Sequence, residues 1–415
     1  MDGVVLNNVF VNEGLVEYRF SVSGSLKQYF TTDVMYIQYN ESVEDIPESI
    51  LTVPFVASIL PLMWVTNTVM WVKELDRTFY DSIHKIRDAY QRLYSHYQLH
   101  GNLVAANLLD NVLTIEKDAL LLFSGGLDAN STYVRHHSKH PLLFNIQGWY
   151  KNLTDVDNAA EADIKNIASF AKAENLDFTY AKSNFAVVVN ENVWTKLIRP
   201  KFGDSWWHGF QHSMAFISIA IPIAYKYGIK NIYIASSVPM GEYCMCASHV
   251  TTDSEFKFAQ LGSCIHDGSE LARQDKVRVV VDYQKKIDAP YPMRVCSFND
   301  HNCCMCEKCF RTVLGLVAEG ADIKDFGFYL DKPLKEHWYD VMYNHSGLMS
   351  FKSERVLHWP YIIERMKANY GIMASEQQEF VDWFLSFDFA KMQKESRLRY
   401  YKQNFFSILK RKLHL

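Results

Sequence analysis

Two stretches of this 415-residue chain combine residue types and spacings that chemistry could use. The first is Ser124-Gly125-Gly126-Leu127-Asp128. Its two glycines let the backbone turn tightly and approach a ligand with no Cβ in the way. Asn130, Ser131 or Thr132 can cap a following helix whose free N–H groups point back at the turn. Such a turn cradles an anion, most commonly phosphate. Asp128 alone repels phosphate, and a Mg²⁺ ion shared between carboxylate and phosphate oxygens removes that objection. The second stretch holds Cys296, Cys303, Cys306 and Cys309, two overlapping CxxC knuckles with a thiol seven residues upstream. That set fits a tetrahedral zinc site, with Cys304 spare and His301 a substitute ligand; an iron–sulfur cluster shares the spacing. Cysteines crowded in this way are no disulfide framework.

The elements that must position these residues follow from periodicity. The apolar run 120–123 reads as a buried parallel strand feeding the Gly-Gly turn. From about 118 to 282 strand and helix patterns alternate, as in a doubly wound sheet: strands over 141–146, 176–181 and 231–237, helices over 158–174 and from about His208 to Tyr227. Ligands of such sheets sit at the carboxyl ends of the strands, which places 124–128, Gln147, Gly148, Ser183, Asn184, Ser236 and Ser237 on one rim. His208, Gln211 and His212 open the last helix and either face substrate or pack beside Trp206 and Trp207. The stretch 264–276 mixes charges in a loop before a helix, where Arg273 and Lys276 either neutralise phosphate or form a solvated face.

Three domains are expected: an N-terminal α+β domain over 1–105, the nucleotide domain over 106–325, and a helical extension over 326–415. The apolar stretch 50–72 contains Pro54, Pro61 and Asn67 and ends in β-branched and aromatic residues, so it reads as a buried helix and core strand and not as a membrane span. A long amphipathic helix follows over about 75–97. The extension carries Trp338, Tyr339, Trp383 and Phe384, which suit a core or an interface equally. A net charge of −4 gives no nucleic-acid footprint. Met1-Asp2-Gly3 runs directly into a strand pattern and not into a secretory leader, so a cytoplasmic chain is expected.

Ser124-Gly125-Gly126-Leu127-Asp128 resembles the pyrophosphate loop (PP-loop) of the N-type ATP pyrophosphatases, although Ala129 stands where that superfamily usually has Ser or Thr. With the cysteine cluster and the following Arg311, the chain resembles the 7-cyano-7-deazaguanine synthases over roughly 118–320. The resemblance implies a Rossmann-like sheet of the adenine nucleotide α-hydrolase type, ATP and Mg²⁺ as reactants, and a structural zinc knuckle. It implies ligase chemistry, in which a 7-carboxy-7-deazaguanine-like carboxylate is adenylated with release of pyrophosphate and then captured by ammonia or a protein amine. Ser124, Gly125, Gly126, Leu127, Asp128, Ser131, Gln147 and Ser236 would bind the nucleotide, with Ser124 and Asp128 closest to the chemistry, and His208, Gln211, Arg273 and Lys276 the substrate. Two flanking regions exceed what a small base needs, which favours a protein partner encoded nearby, as in relatives found in antiviral defence operons. Two other readings are a sulfur-transferring RNA-modifying enzyme, using Cys244, Cys246 or Cys264, and a non-catalytic nucleotide-binding scaffold.

Overall fold

The computed structural model describes residues 2–149, 156–239, 246–296, 299–344 and 359–388, with single residues 391, 394, 395, 398, 402 and 405 beyond them. The chain is α/β. Its strands are β1 (Gly3–Asn12), β2 (Leu15–Val22), β3 (Val34–Tyr39), β4 (Val69–Asp76), β5 (Asn102–Leu109), β6 (Lys117–Leu122), β7 (Leu142–Gln147), β8 (Phe178–Ser183), β9 (Ile229–Ala235), β10 (Lys257–Phe258) and β11 (Gly262–Asp267). They form one 11-stranded sheet in the order β10-β11-β9-β6-β7-β8-β3-β2-β1-β4-β5. The run β11-β9-β6-β7-β8 is parallel throughout, and β1-β4-β5 is parallel as well. Antiparallel pairings join β8 to β3, β3 to β2 and β2 to β1.

The longer helices are α1 (Val53–Thr66), α2 (Arg77–Leu93), α3 (Leu127–His136), α4 (Val156–Ala173), α5 (His212–Lys226), α6 (Arg273–Ile287), α7 (Glu307–Ala318), α8 (Leu334–Asn344), α9 (Trp359–Asn369) and α10 (Ser375–Ser386). Compactness divides the chain into two units, Met1–Ser124 with Arg135–Glu270, and Gly125–Val134 with Leu271–Leu415. This division differs from the three segments read in the sequence. No break falls near residue 105, because β3 pairs with β8 through Ile37–Ser183, Gln38–Lys182 and Tyr39–Ala181 and makes the N-terminal strands part of the same sheet.

In the first unit β6 lies between β7 and β9, which explains the apolar run that follows Lys117 and Asp118: Ala119, Leu120 and Leu121 are all buried. Helix α1 is apolar on every side and packs against α5, itself laid on β9. It ends at Asn67, whose φ of 53° stops the helix in a left-handed residue. No described helix is long and apolar enough to cross a membrane.

Three local expectations are corrected. Residues 102–109, given no element in the sequence, form the outer strand β5. The stretch 264–267, expected as loop, belongs to β11 and pairs in parallel with β9; alternation of buried Cys264 and His266 with half-buried Ser263 and Ile265 is its strand signal. The helix expected from His208 opens with a π-turn over Trp207–Gln211, and α5 proper begins at His212.

Asp76 caps α2 and reaches further. Its Oδ2 accepts from the N–H of Phe79 at 2.9 Å and from that of Ala259 at 3.0 Å, while Oδ1 accepts from Asn111 at 3.0 Å. The second of these bonds holds a turn in which Ala259 and Gln260 have φ of 44° and 62°, unfavourable for residues with a Cβ. Asp76→Ala strands all three donors and is expected to cost about 2–4 kcal/mol of unfolding free energy. Urea denaturation followed by tryptophan fluorescence measures it; a loss within ~0.5 kcal/mol of zero would refute the role.

Candidate anion site and cysteine metal centre

Strand β6 delivers the Gly-Gly loop. The N–H of Phe123 donates to Phe144 O at 2.9 Å, and Asn145 Nδ2 donates to Phe123 O at 2.9 Å, so the last residue before Ser124 is fixed to β7 from both its polar groups. Ser124 itself is exposed. Gly125 has φ of +73°, the left-handed conformation that requires glycine there. Helix α3 starts two residues later, at Leu127.

Asn130 shapes the loop in the second unit. Its Nδ2 donates to Gly125 O at 2.8 Å and to Gly126 O at 2.9 Å, while its Oδ1 accepts from Tyr291 Oη at 2.9 Å. Gly125 O also accepts from the N–H of Arg294 at 3.2 Å. With both glycine carbonyls held by the protein, the N–H groups at the start of α3 are the polar groups this turn offers an anion. Leu127, Ser131 and Thr132 are buried side chains, so of the nucleotide contacts expected here only backbone ones suit Leu127, and the Ser131 hydroxyl points into the protein.

Asp128 is the one half-buried carboxylate of α3 and it is ringed by cations. Lys276 Nζ lies 3.4 Å from Oδ1 and Arg273 Nη1 lies 3.5 Å from Oδ2. Both come from α6, three residues apart and hence on one face. Burial pushes the Asp128 carboxyl up, but Lys276, Arg273 and Arg311 outweigh it and hold it below the usual carboxylate range. Arg311 belongs to α7, where Glu307 faces it at 3.6 Å. Lys308 shares the face of α7 with Arg311 and Thr312, and Thr312 Oγ1 accepts from Arg273 Nη2 at 3.4 Å. Arg273 and Lys276 have side chains only 10% and 3% exposed, which settles against a solvated face. Arg273 Nε is buried without a hydrogen-bond partner among the described residues. Among the described residues, Arg273, Lys276 and Arg311 thus surround Asp128, and Glu307 faces Arg311.

The strand-end residues of the first unit are mostly committed to structure. Ser183 Oγ donates to Tyr36 O at 2.6 Å, and Asn184 bonds the N–H of Tyr36 and Val34 O, so both secure β3. Ser236 is buried, with Oγ donating to Val238 O at 2.8 Å. Gln147 is buried and donates to Asn145, its Oε1 left without a partner among the described residues. Gln211, expected at a substrate, is instead fully buried and donates to Phe185 O at 3.0 Å; its place in the π-turn packs it inward. His208 is exposed and pairs with Asp204 at 2.8 Å. Trp149, just past β7, stacks on Trp207 with centroids 6.3 Å apart and planes 6° apart. His212 stands edge-on to Trp207 and Phe216, and burial lowers its pKa to about 4.

The cysteine centre lies in the second unit. The sulfurs of Cys296, Cys303, Cys306 and Cys309 all lie within 4.8 Å of one another, with Cys303–Cys309 at 3.9 Å and Cys306–Cys309 at 3.5 Å. Bonds of ~2.3 Å to a tetrahedral zinc ion put sulfurs about 3.8 Å apart, so the set fits zinc. The N–H of Met305 points to Cys303 Sγ at 3.4 Å, and Cys306 is the N-cap of α7. Cys304 is excluded: its φ of 51° turns it aside, and burial pushes its thiol up to about 11. His301 is exposed and pairs with Asp300, outside the set. Asn302 brings the two halves together, accepting from the N–H of Val295 at 2.9 Å and donating to Met293 O at 2.7 Å and Gly327 O at 3.0 Å. Asn130, Ser131 and Thr132, expected to cap the helix, lie inside it because α3 already begins at Leu127, and sequence reasoning missed Tyr291 and Asn302.

No protein-family model, curated protein or solved structure matches this chain.

Two expectations follow from these centres. The purified protein should carry one zinc ion, and Cys303→Ser should lose it at a cost on the order of 4 kcal/mol, read by elemental analysis and thermal unfolding; full metal content in that variant would be inconsistent with the assignment. His212 gives a pH signature. Unfolded, it takes up a proton near 6.5, whereas folded it resists until about 4. The unfolded state therefore binds more protons in that window, and stability falls as pH drops from 6.5 to 4. His212→Gln should flatten the urea midpoint across that range, and an unchanged slope would discount burial of the neutral ring.

Proposed function

We propose that this chain is an ATP-using ligase of the pyrophosphate-loop type, which activates a carboxylate by adenylation and passes the acyl group to an amine. One observation carries the reading: Arg273, Lys276 and Arg311 converge on Asp128 in the same unit as a Gly125-Gly126 turn whose carbonyls are held by Asn130. A turn presenting N–H groups beside buried cations suits a polyphosphate, and the Ser-Gly-Gly-Leu-Asp motif supports ATP as its source.

In the proposed reaction the carboxylate oxygen attacks the α-phosphorus of ATP. The bond to the bridging oxygen breaks, and pyrophosphate leaves with that electron pair. An amine then attacks the acyl carbon, loses a proton, and AMP leaves. Arg273, Lys276 and Arg311 would stabilise the charge that develops on the leaving pyrophosphate, and the N–H groups at the start of α3 would orient it. The Cys296, Cys303, Cys306 and Cys309 set fits zinc, which would supply a structural cross-link at the start of α7. The motif resemblance supports a planar acid such as a deazapurine. A Mg²⁺ ion held by Asp128 fits less well, since cations face both carboxylate oxygens.

The sulfur-transfer reading is less favoured. Burial pushes the Cys264 thiol well above its ordinary range, which suppresses the thiolate such chemistry needs, and Cys244 lies outside the described residues. A cytoplasmic setting and a protein amine as acceptor remain part of the proposal.

The test is carboxylate-dependent exchange of labelled pyrophosphate into ATP, with 7-carboxy-7-deazaguanine as the probe acid. AMP and pyrophosphate are the expected products, and ADP with phosphate would overturn the reading. Arg273→Met and Lys276→Met should each lower kcat/KM about 10²-fold, with zinc content unchanged.

A further inference from the structure

Independently of the nucleotide reading, we infer that strand β5 is an interface: two copies of this chain pair along it antiparallel, about a two-fold axis at Ala106, and continue the sheet from one protomer into the other.

The two edges of the sheet are finished differently. At one edge stands β10, two residues long and carrying the exposed Lys257. Shortness and a lysine both keep an edge from pairing with another chain. At the other edge stands β5, eight residues long, with no charged residue and no proline. Its register against β4 keeps one offset from Val69–Asn102 to Asp76–Leu109, so no bulge breaks it. Among the described residues no strand pairs with its outer side. Side chains reach its carbonyls only near its end, from Arg77 to Leu108 O at 3.2 Å and from Asn111 to Leu109 O at 3.5 Å. Val104 and Leu109 are exposed. Val104 also ends an apolar row across three strands, since it pairs with Trp71 of β4, which pairs with Val5 of β1.

The sequence of the strand says which partner fits. Around Ala106 it is nearly palindromic: Ala105 and Asn107, Val104 and Leu108, Leu103 and Leu109, Asn102 and Asp110 stand at equal separations on either side. In an antiparallel pair with its axis at Ala106, each of these residues opposes its counterpart on the second copy, on the same face of the sheet. Short side chains thus meet short ones, aliphatic meet aliphatic, and polar meet polar. The charges match as well. Asp110, exposed and paired with Arg77 at 2.7 Å, arrives opposite Asn102. The next residue there is Gly101, whose carbonyl accepts from Arg87 Nη1 at 3.4 Å. An acid at one end of the strand is thereby brought toward an arginine at the other end of its mate, at both ends of the seam. A second copy supplies this complement by symmetry, and so it is the partner the strand fits.

The experiment is sedimentation velocity of the full chain over a concentration series reaching tens of micromolar. Wild type should show a species of twice the 48.2 kDa chain mass. Ala106→Lys sets two like charges against each other on the axis and should weaken dimerisation about tenfold or more, with circular dichroism and zinc content as fold controls. A second pair of variants reads the register. Directly opposed residues have Cα atoms about 4.5–5.5 Å apart, within reach of a disulfide. In a glutathione redox buffer Ala106→Cys should therefore cross-link to its own mate, seen as a covalent dimer on non-reducing electrophoresis. Val104→Cys, which opposes Leu108 and not itself, should stay uncross-linked like wild type. A chain that sediments as a monomer throughout overturns the inference and leaves the edge to a strand of another protein. A dimer that Ala106→Lys leaves intact, or in which Ala106→Cys fails to cross-link, puts the interface elsewhere and overturns it too.

Discussion

A seam of backbone hydrogen bonds between β3 and β8 makes the first unit one body. Only three residue pairs form the ladder, but side chains extend it: Tyr39 Oη donates to Ile219 O at 3.0 Å, and Ser183 and Asn184 satisfy the backbone of Tyr36 and Val34. A buried strand edge left unpaired is costly, since each backbone group must find a partner. The seam therefore decides two matters together. The N-terminal meander is part of the sheet that carries β6, and the polar residues at the end of β8 are spent on structure and lost to any ligand.

In the second unit, α7 joins two kinds of centre. Cys306 caps it and Cys309 lies in its first turn, while Arg311 and Thr312 follow on the same helix. A metal held by the cysteines would fix the start of the helix, and the helix places the guanidinium that acts on Asp128. Metal binding at this set would in this way be coupled to the position of a charge.

Much of this was legible in sequence, for identifiable reasons. Strand β6 and its glycine turn could be read because the part of a strand buried on both faces, here from Ala119 onward, is apolar at consecutive positions, and because a left-handed residue such as Gly125 leaves a compositional mark. The cysteine set could be read because metal geometry constrains spacing. Strand β11 could not, since Cys264-Ile265-His266-Asp267 hides a buried polar face: His266 Nδ1 meets Asp253 Oδ2 at 2.8 Å there, and no hydropathy pattern reveals a satisfied buried hydrogen bond. Gln211 misled for the related reason that a π-turn shifts the helical phase by one residue and turns an expected outward side chain inward. The convergence of Arg273 and Lys276 with Asp128 joins residues more than 140 positions apart, which only the fold brings together.

Helix α1 sets a problem of timing. It is apolar on all sides, and α5, the helix it packs against, is encoded about 150 residues later. At ribosomal rates of roughly 5–20 residues per second, the emerging chain carries α1 without α5 for about eight to thirty seconds, with β4 and β5 as its earlier neighbours. The N-terminal meander also lacks β8 for most of that interval, so the early product is a half-finished sheet with an apolar helix only partly covered. The order of elements along this chain thus makes synthesis the most hazardous moment in its life, and gives chaperones that shield apolar nascent segments a defined interval in which to act.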